Sequence, residues 1–246
     1  MQFDFYQLTS PGDRKTNQDY MAHVVEDEYA LFVVADGLGG HRAGERASAY
    51  FCKGLLELAP KYSKWVSTDP EAVIGLWIDG AIDEMSRFFA GDPVAEEAHT
   101  TCAMLYIQDH LVITAHCGDS RVYRLNPEEI LWRTRDHSLT QKLFDEGEVS
   151  EREMGIHPEQ NRLTRSINVL RSHSPEIIVH REIVQNETFI LCTDGFWEFI
   201  KPGELLKIAQ KENGREVLIK QAKLSYLRAQ GKSDNLTVQW VRPIKI

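Results

Sequence analysis

The sequence predicts an α+β fold built on antiparallel sheets, and two observations carry that expectation. Strand-like and helix-like runs come in blocks rather than in strict alternation: strands, a helix pair, more strands, a second helix pair, a last strand. Within the strand blocks only a few residues separate neighbours. That is too few for the crossover a parallel pair needs, so tight turns and antiparallel pairing follow.

The elements read in order as follows. Strands are expected over 3–9 (FDFYQLT), 20–26 (YMAHVVE) and 29–35 (YALFVVA). Residues 43–59 carry apolar positions at helical spacing. The helix expected over 70–90 is clearer, with Val73, Ile74, Trp77, Ile78, Ala81, Ile82, Met85, Phe88 and Phe89 recurring at i, i+3 and i+4. That stripe is core rather than a cofactor box. Thr68 and Glu71 have the spacing of a capping box, and Pro70 suits a first helical turn. Strands return over 101–107, 111–117, 120–125 and 129–134. A polar, irregular stretch covers 145–172. Strands resume over 176–183 and 187–193, helices follow over 203–212 and 214–229, and a strand over 235–241 closes the chain.

The bulk composition excludes several classes. With 246 residues, 42% of them hydrophobic, the chain can bury one sizeable core, and a single domain over 1–246 is expected. A net charge of −9 argues against a sequence-independent nucleic-acid binder. The apolar runs are strand-length, too short to span a bilayer, so no membrane association is expected. The start, MQFDFYQLTSPGDRK, lacks a basic region followed by an apolar one, so no secretion signal is expected. Cys52, Cys102, Cys117 and Cys192 form no C-x-x-C pair and read as buried, reduced thiols, consistent with a cytoplasmic protein.

Four apolar runs meet an aspartate in the same way. VVADGLGG ends in Asp36 with glycines at 37, 39 and 40; AHCGDS ends in Gly118 and Asp119; LCTDGF ends in Asp194 and Gly195; and SDNLTV places Asp234 just before the last strand. Two readings fit. The four can be independent turns, since Asp-Gly is a common turn dipeptide. Or the strand ends share one rim and the carboxylates converge. Clustered carboxylates repel, and divalent cations with a preference for oxygen, Mg²⁺ or Mn²⁺, relieve that repulsion. In GDRKTNQDY, Arg14 lies between two short strands, close in sequence to Asp19. A guanidinium can grip a phosphate through paired hydrogen bonds, although most surface arginines are simply solvated.

The ordered set GDRKTNQD, VVADGLGGH, HTTCAMLY, AHCGDSRVYR, RDHSLTQ, HPEQNRLTRSIN, LCTDGFWE and SDNLTVQWV resembles the metal-dependent protein phosphatases of the 2C type, and more narrowly their bacterial, catalytic-domain-only members. The resemblance runs from about residue 5 to residue 241. It implies a four-layer α-β-β-α sandwich: two antiparallel sheets, each covered by a helix pair. It implies that Asp36 bridges two Mn²⁺ or Mg²⁺ ions, that the Gly37 carbonyl serves the second ion, and that Asp194 and Asp234 hold the first. Asp119, sharing Asp194, is implied for a weaker third ion. Arg14 matches the phosphate-gripping arginine and Asp19 an acidic residue that orders metal-bound water. The reaction implied is hydrolysis of phosphoserine and phosphothreonine on proteins by a metal-activated water, opposing a Ser/Thr kinase. No covalent phosphoenzyme is implied, and no cysteine here has an arginine six residues on. No nucleic acid takes part, and a monomer is expected, controlled from outside the chain. The alternatives are a non-catalytic binding module on the same fold and a phosphohydrolase of a small metabolite.

Several positions depart from the family pattern. Leu38 stands where animal relatives place a His that protonates the leaving group; His41, three residues on, reads as a structural turn histidine. His99 replaces the usual Gly of a GTT-like block. Asn168 replaces Gly and, as the residue most tolerant of positive φ, is expected to keep the turn. Gln18 replaces an acidic residue, which implies second-ion binding through water. His137 is expected to fix a loop. The stretch over 145–172, with His157 in it, matches the family's flap beside the site.

Overall fold

The computed structural model describes residues 1–38, 43–171, 173–180, 186–210 and 214–245. His41 and the last residues of the strand expected over 176–183 lie outside them.

In chain order the elements are β1 (Gln2–Ser10), β2 (Asp19–Val25), β3 (Tyr29–Leu38), α1 (Gly44–Tyr62), α2 (Pro70–Phe89), α3 (Pro93–Glu96), β4 (His99–Thr100), β5 (Cys102–Gln108), β6 (Leu111–Cys117), β7 (Arg121–Leu125), β8 (Ile130–Arg133), α4 (Leu139–Asp145), α5 (Glu151–Met154), β9 (Glu176–His180), β10 (Thr188–Cys192), α6 (Asp194–Trp197), α7 (Pro202–Ala209), α8 (Gly214–Arg228) and β11 (Leu236–Lys245). One sheet has the order β1-β11-β10-β7-β8. The other has β2-β3-β5-β6-β9, with β4 also paired to β3. Every pairing within them is antiparallel.

Alternation along β3 explains the layers. Tyr29, Leu31, Val33 and Ala35 pack with Phe51, Leu55, Trp77 and Ile78 of α1 and α2. Ala30, Phe32 and Val34 point the other way, onto Phe189, Leu191 and Val241 of the opposite sheet. A third cluster joins Ile190, Val238 and Trp240 to Leu205, Ile208 and Leu218 of α7 and α8. Three apolar layers therefore separate four layers of structure, α-β-β-α. A strand buried on both faces reads as a continuous apolar run, which is why these strands stand out in the sequence.

Two local expectations are corrected, and one helix is added. The N-cap of α2 is Asp69, whose side chain accepts from the Ala72 N–H at 3.3 Å, while the Thr68 hydroxyl donates to the Trp65 carbonyl at 2.6 Å. The Thr68–Glu71 box does not form, because Asp69, one residue on, is the better cap and the Thr68 hydroxyl is turned back to Trp65. Asn168 is not in the positive-φ region. It is buried, donates to the carbonyls of Glu96 and Ala98 at 2.8 and 2.7 Å, and accepts from the Leu170 N–H at 2.9 Å. Its side chain clasps two segments, so hydrogen bonding rather than backbone freedom explains it. Helix α4, just before the irregular stretch, was not expected; it is capped by Ser138, whose hydroxyl accepts from the Gln141 N–H at 3.2 Å.

Candidate active site

Antiparallel pairing decides where the four aspartates go. Strand β5 lies between β3 and β6 and pairs antiparallel with both, so β3 and β6 run the same way. Asp36 and Asp119 therefore leave one edge of their sheet. In the facing sheet β10 ends just before Asp194, and its antiparallel neighbour β11 begins just after Asp234. The two edges meet in a cleft lined by Arg14, Gln18, Asp36, Gly37, Leu38, Asp119, Asn161, Leu163, Asp194, Asp234 and Asn235. The carboxylates converge, and the reading of four independent turns fails. Asp19 is not on the cleft wall. It is buried directly opposite Asp36 in the β2–β3 ladder, and its Oδ2 accepts from the Thr193 hydroxyl at 2.8 Å, which ties the two sheets together.

The backbone around each carboxylate is fixed from several sides. Thr101 exchanges bonds with Asp36: its N–H donates to the Asp36 carbonyl and its hydroxyl accepts from the Asp36 N–H, both at 2.8 Å. The same hydroxyl lies 2.6 Å from that of Ser120, beside Asp119. Gly118 has φ of +100° and a Cβ there would lie 2.7 Å from Thr101 Cγ2, so only glycine fits. At Gly37 a Cβ would fall 2.0 Å from the Gly44 carbonyl oxygen, so the start of α1 packs directly on the Gly37 backbone. The loop at His137 is held by its backbone, whose amide donates to the Gly118 carbonyl at 2.8 Å and whose carbonyl accepts from the Thr164 amide at 2.7 Å, and its ring Nδ1 accepts from the Gly118 N–H at 3.3 Å.

Arg14 lies at the rim, and its Nη2 donates to Asp234 Oδ2 at 2.7 Å. The loop that carries it is held by Asn235, which sequence reasoning missed. Asn235 Nδ2 donates to the Pro11 and Thr16 carbonyls at 3.0 and 2.9 Å, and its Oδ1 accepts from the Gln18 N–H at 2.7 Å. Glu198, four residues after Asp194, was missed too, although it ends the quoted run LCTDGFWE. A buried, bidentate Arg121–Asp136 pair at 2.8 and 2.6 Å lies under the same edge. The Arg121 guanidinium stacks 3.5 Å from the Trp197 ring, and Trp197 Nε1 donates to the Asp119 carbonyl at 2.9 Å.

The electrostatics follow from crowding. Burial, then the charges of Asp19, Asp119 and Asp234, hold the Asp36 carboxyl well above its ordinary value. Asp194 is raised likewise by burial, Asp36 and Glu198. Burial with the Asp234 charge pushes Asp19 up to about 7, and burial with the Asp136 charge pushes Asp119 up to about 7. Burial with Asp119 and Asp234 pushes Glu198 up to about 8. Asp19 Oδ1 is buried with no partner among the described residues. An all-oxygen donor set, mutually repelling and with an orphan acceptor behind it, fits hard divalent cations.

A testable consequence concerns stability. From the ordinary carboxylate range up to about pH 8, the folded chain keeps protons that the unfolded chain has lost. Metal-free stability should therefore fall as pH rises through that window. Millimolar Mn²⁺ or Mg²⁺ should raise the melting temperature most at the alkaline end and flatten the dependence. Thermal melts at pH 5.5 to 8.5, with and without metal, check this; metal-free stability that rises with pH would contradict it.

A second cluster carries less. His116, His137 and Glu176 bring nitrogen and oxygen atoms within 4.8 Å of one another, but an Arg165 guanidinium nitrogen 3.5 Å from His137 Nε2 opposes a cation there.

Two antiparallel sheets between helix layers is an architecture shared with solved phosphatases. The chain is similar to the catalytic domain of the serine/threonine protein phosphatase PstP, solved in complex with two manganese ions, with a TM-score of 0.77, 23% identity and coverage of 98% of this chain and 97% of that one. Residues 12–218 match the family described as protein phosphatase 2C, and the chain belongs to that family. Among relatives, it is 29% identical over 246 residues to protein phosphatase PhpP of Streptococcus pneumoniae, covering 95% of each chain. It is 30% identical over 221 residues to the serine/threonine phosphatase stp of Listeria welshimeri, covering 87% of this chain and 84% of that one.

Proposed function

We propose that this protein is a metal-dependent serine/threonine protein phosphatase, acting in the cytoplasm as a monomer and opposing a Ser/Thr kinase. The observation that supports it most is the convergence of Asp36, Asp119, Asp194 and Asp234 on one cleft with Arg14 at its rim. Its relatives' names, protein phosphatase and serine/threonine phosphatase, point the same way. No helix among the described residues is long and apolar enough to cross a membrane.

In this proposal Asp36 and the Gly37 carbonyl, with Asp194 and Asp234, would hold two Mn²⁺ or Mg²⁺ ions. When bound, such ions acidify water and neutralise phosphoryl charge. Arg14 orients the phosphoryl group, and its planar fork suits paired oxygens. Asp19, buried behind Asp36, would order water at the ions. Thr101 and Asn235 are positioning residues: one fixes Asp36 against the Asp119 strand end, the other fixes the Arg14 loop against β11. Leu38, on the cleft wall, has no proton to give a leaving alkoxide.

A weaker third ion at Asp119, shared with Asp194, completes the proposal. Wild-type protein with Mn²⁺ should turn over both an artificial aryl phosphate and a phosphothreonine peptide. Asp119→Ala should lose more activity on the peptide, whose leaving group needs a proton, than on the aryl phosphate, and should bind one Mn²⁺ fewer by calorimetry. Absence of turnover on every substrate would favour a binding module, and turnover confined to small phosphometabolites a different hydrolase. Equal losses on the two substrates would remove the leaving-group role of Asp119.

A further inference from the structure

Beside the cleft lies a second pocket with the opposite charge. Its walls include His99, Thr164, Arg165, Ser166, Arg171 and His173, and no carboxylate lines it among the described residues. The segment over 161–166 separates the two: Asn161 and Leu163 line the acidic cleft, and Leu163 also lines the basic pocket. On a chain with a net charge of −9, two arginines around one concavity, with no carboxylate on its walls among the described residues, are a built feature. Arg171 is exposed and makes no hydrogen bond or ion pair among the described residues. Arg165 donates only a long bond, 3.3 Å, to the Ser174 carbonyl and lies against His137. His173 Nε2 faces Asp79 at 2.9 Å, which leaves its Nδ1 buried and without a partner among the described residues. His99, the residue that departs from the family's glycine, is held by Ser166 at 2.8 Å. Guanidinium forks, ring N–H groups and hydroxyls around one concavity are the donor set that takes a phosphoryl dianion.

We propose that this pocket binds a second phosphoryl group on the same substrate segment, so that the enzyme favours doubly phosphorylated sites. The inference rests on the phosphatase reading above. The pocket selects by binding and takes no part in bond breaking, so it acts on KM rather than on kcat.

The test uses full-length protein with Mn²⁺ and a set of peptides of one sequence. Each carries a scissile phosphothreonine, alone or with a phosphoserine one to four residues away on either side, since an extended chain advances about 3.3–3.6 Å per residue. A parallel set carries glutamate in place of the phosphoserine. At one spacing, phosphoserine should lower KM about 10-fold with kcat little changed, and glutamate should do much less. Arg171→Glu should erase that advantage, Arg171→Lys should keep part of it, and His99→Gln should weaken it, each read against the aryl phosphate in the same preparation. Equal KM for singly and doubly phosphorylated peptides at every spacing would overturn this inference alone, as would an advantage that survives Arg171→Glu. Failure to hydrolyse any substrate, the aryl phosphate included, would overturn the phosphatase reading and this inference with it.

Discussion

Asp36→Asn is expected to abolish phosphatase turnover while making the metal-free protein more stable. The two effects have one cause. Asp36 is the carboxyl on which Asp19, Asp119 and Asp234 all press, and burial adds to the cost of its charge. A neutral amide of the same shape relieves that repulsion, so melting without metal should move up, most at alkaline pH. The same amide cannot bridge two dications or balance their charge. A loss of at least ~10³-fold in kcat/KM, about 4 kcal/mol of transition-state stabilisation, is expected on aryl phosphate and phosphopeptide alike. Steady-state kinetics at millimolar Mn²⁺ and metal-free melts on the same preparation check both halves. A lower metal-free melting temperature would indicate that Asp36 is a structural group instead.

Arg14→Ala carries the second largest effect. The guanidinium lies over the cleft and engages Asp234 with one of its nitrogens, which leaves other donors for phosphoryl oxygens. Loss of an oxyanion contact of this kind costs ~10²–10³ in turnover. Arg14→Lys should recover only part of it, because a point charge cannot donate a paired fork. Mn²⁺ affinity should hold or improve in Arg14→Ala, since a cation that competes for Asp234 has been removed. Unchanged kinetics on both substrates would reduce Arg14 to a surface partner of Asp234.

Much of this was legible in the sequence because the fold writes it locally. Strands such as β3 and β10 are covered on both faces, so they appear as unbroken apolar runs, and the aspartates stand out where those runs stop. The helix expected over 70–90 matches α2 at Pro70–Phe89 because one face of it must fill the layer beside β3. What the runs alone left open was whether their ends share an edge. That depends on β3 and β6 running the same way, a property of strand order rather than of any segment.

The missed residues are of a single kind. Asn235 holds a loop more than 200 positions away, and Glu198 feels the charges of Asp119 and Asp234, both remote in sequence. The loop that Asn235 holds is remote in sequence, and so are the partners of Glu198 apart from Asp194, four residues back. The same holds for Asn168: its identity invites a backbone explanation, and its partners at Glu96 and Ala98 supply another. Where two capping residues compete within one turn, as Thr68 and Asp69 do, spacing finds the helix start but not which side chain closes it.

The most direct test of the central claim, that these carboxylates form one divalent-metal site, is a count of Mn²⁺ bound per chain by calorimetry at neutral pH. Two core ions, with a weaker third, are expected in the wild type. Asp36→Asn should lose high-affinity binding altogether, and proton release on binding should be seen by repeating the titration in buffers of different ionisation enthalpy. Wild-type protein that binds no Mn²⁺ at millimolar concentration, or Asp36→Asn that binds as many ions as wild type, would contradict the account.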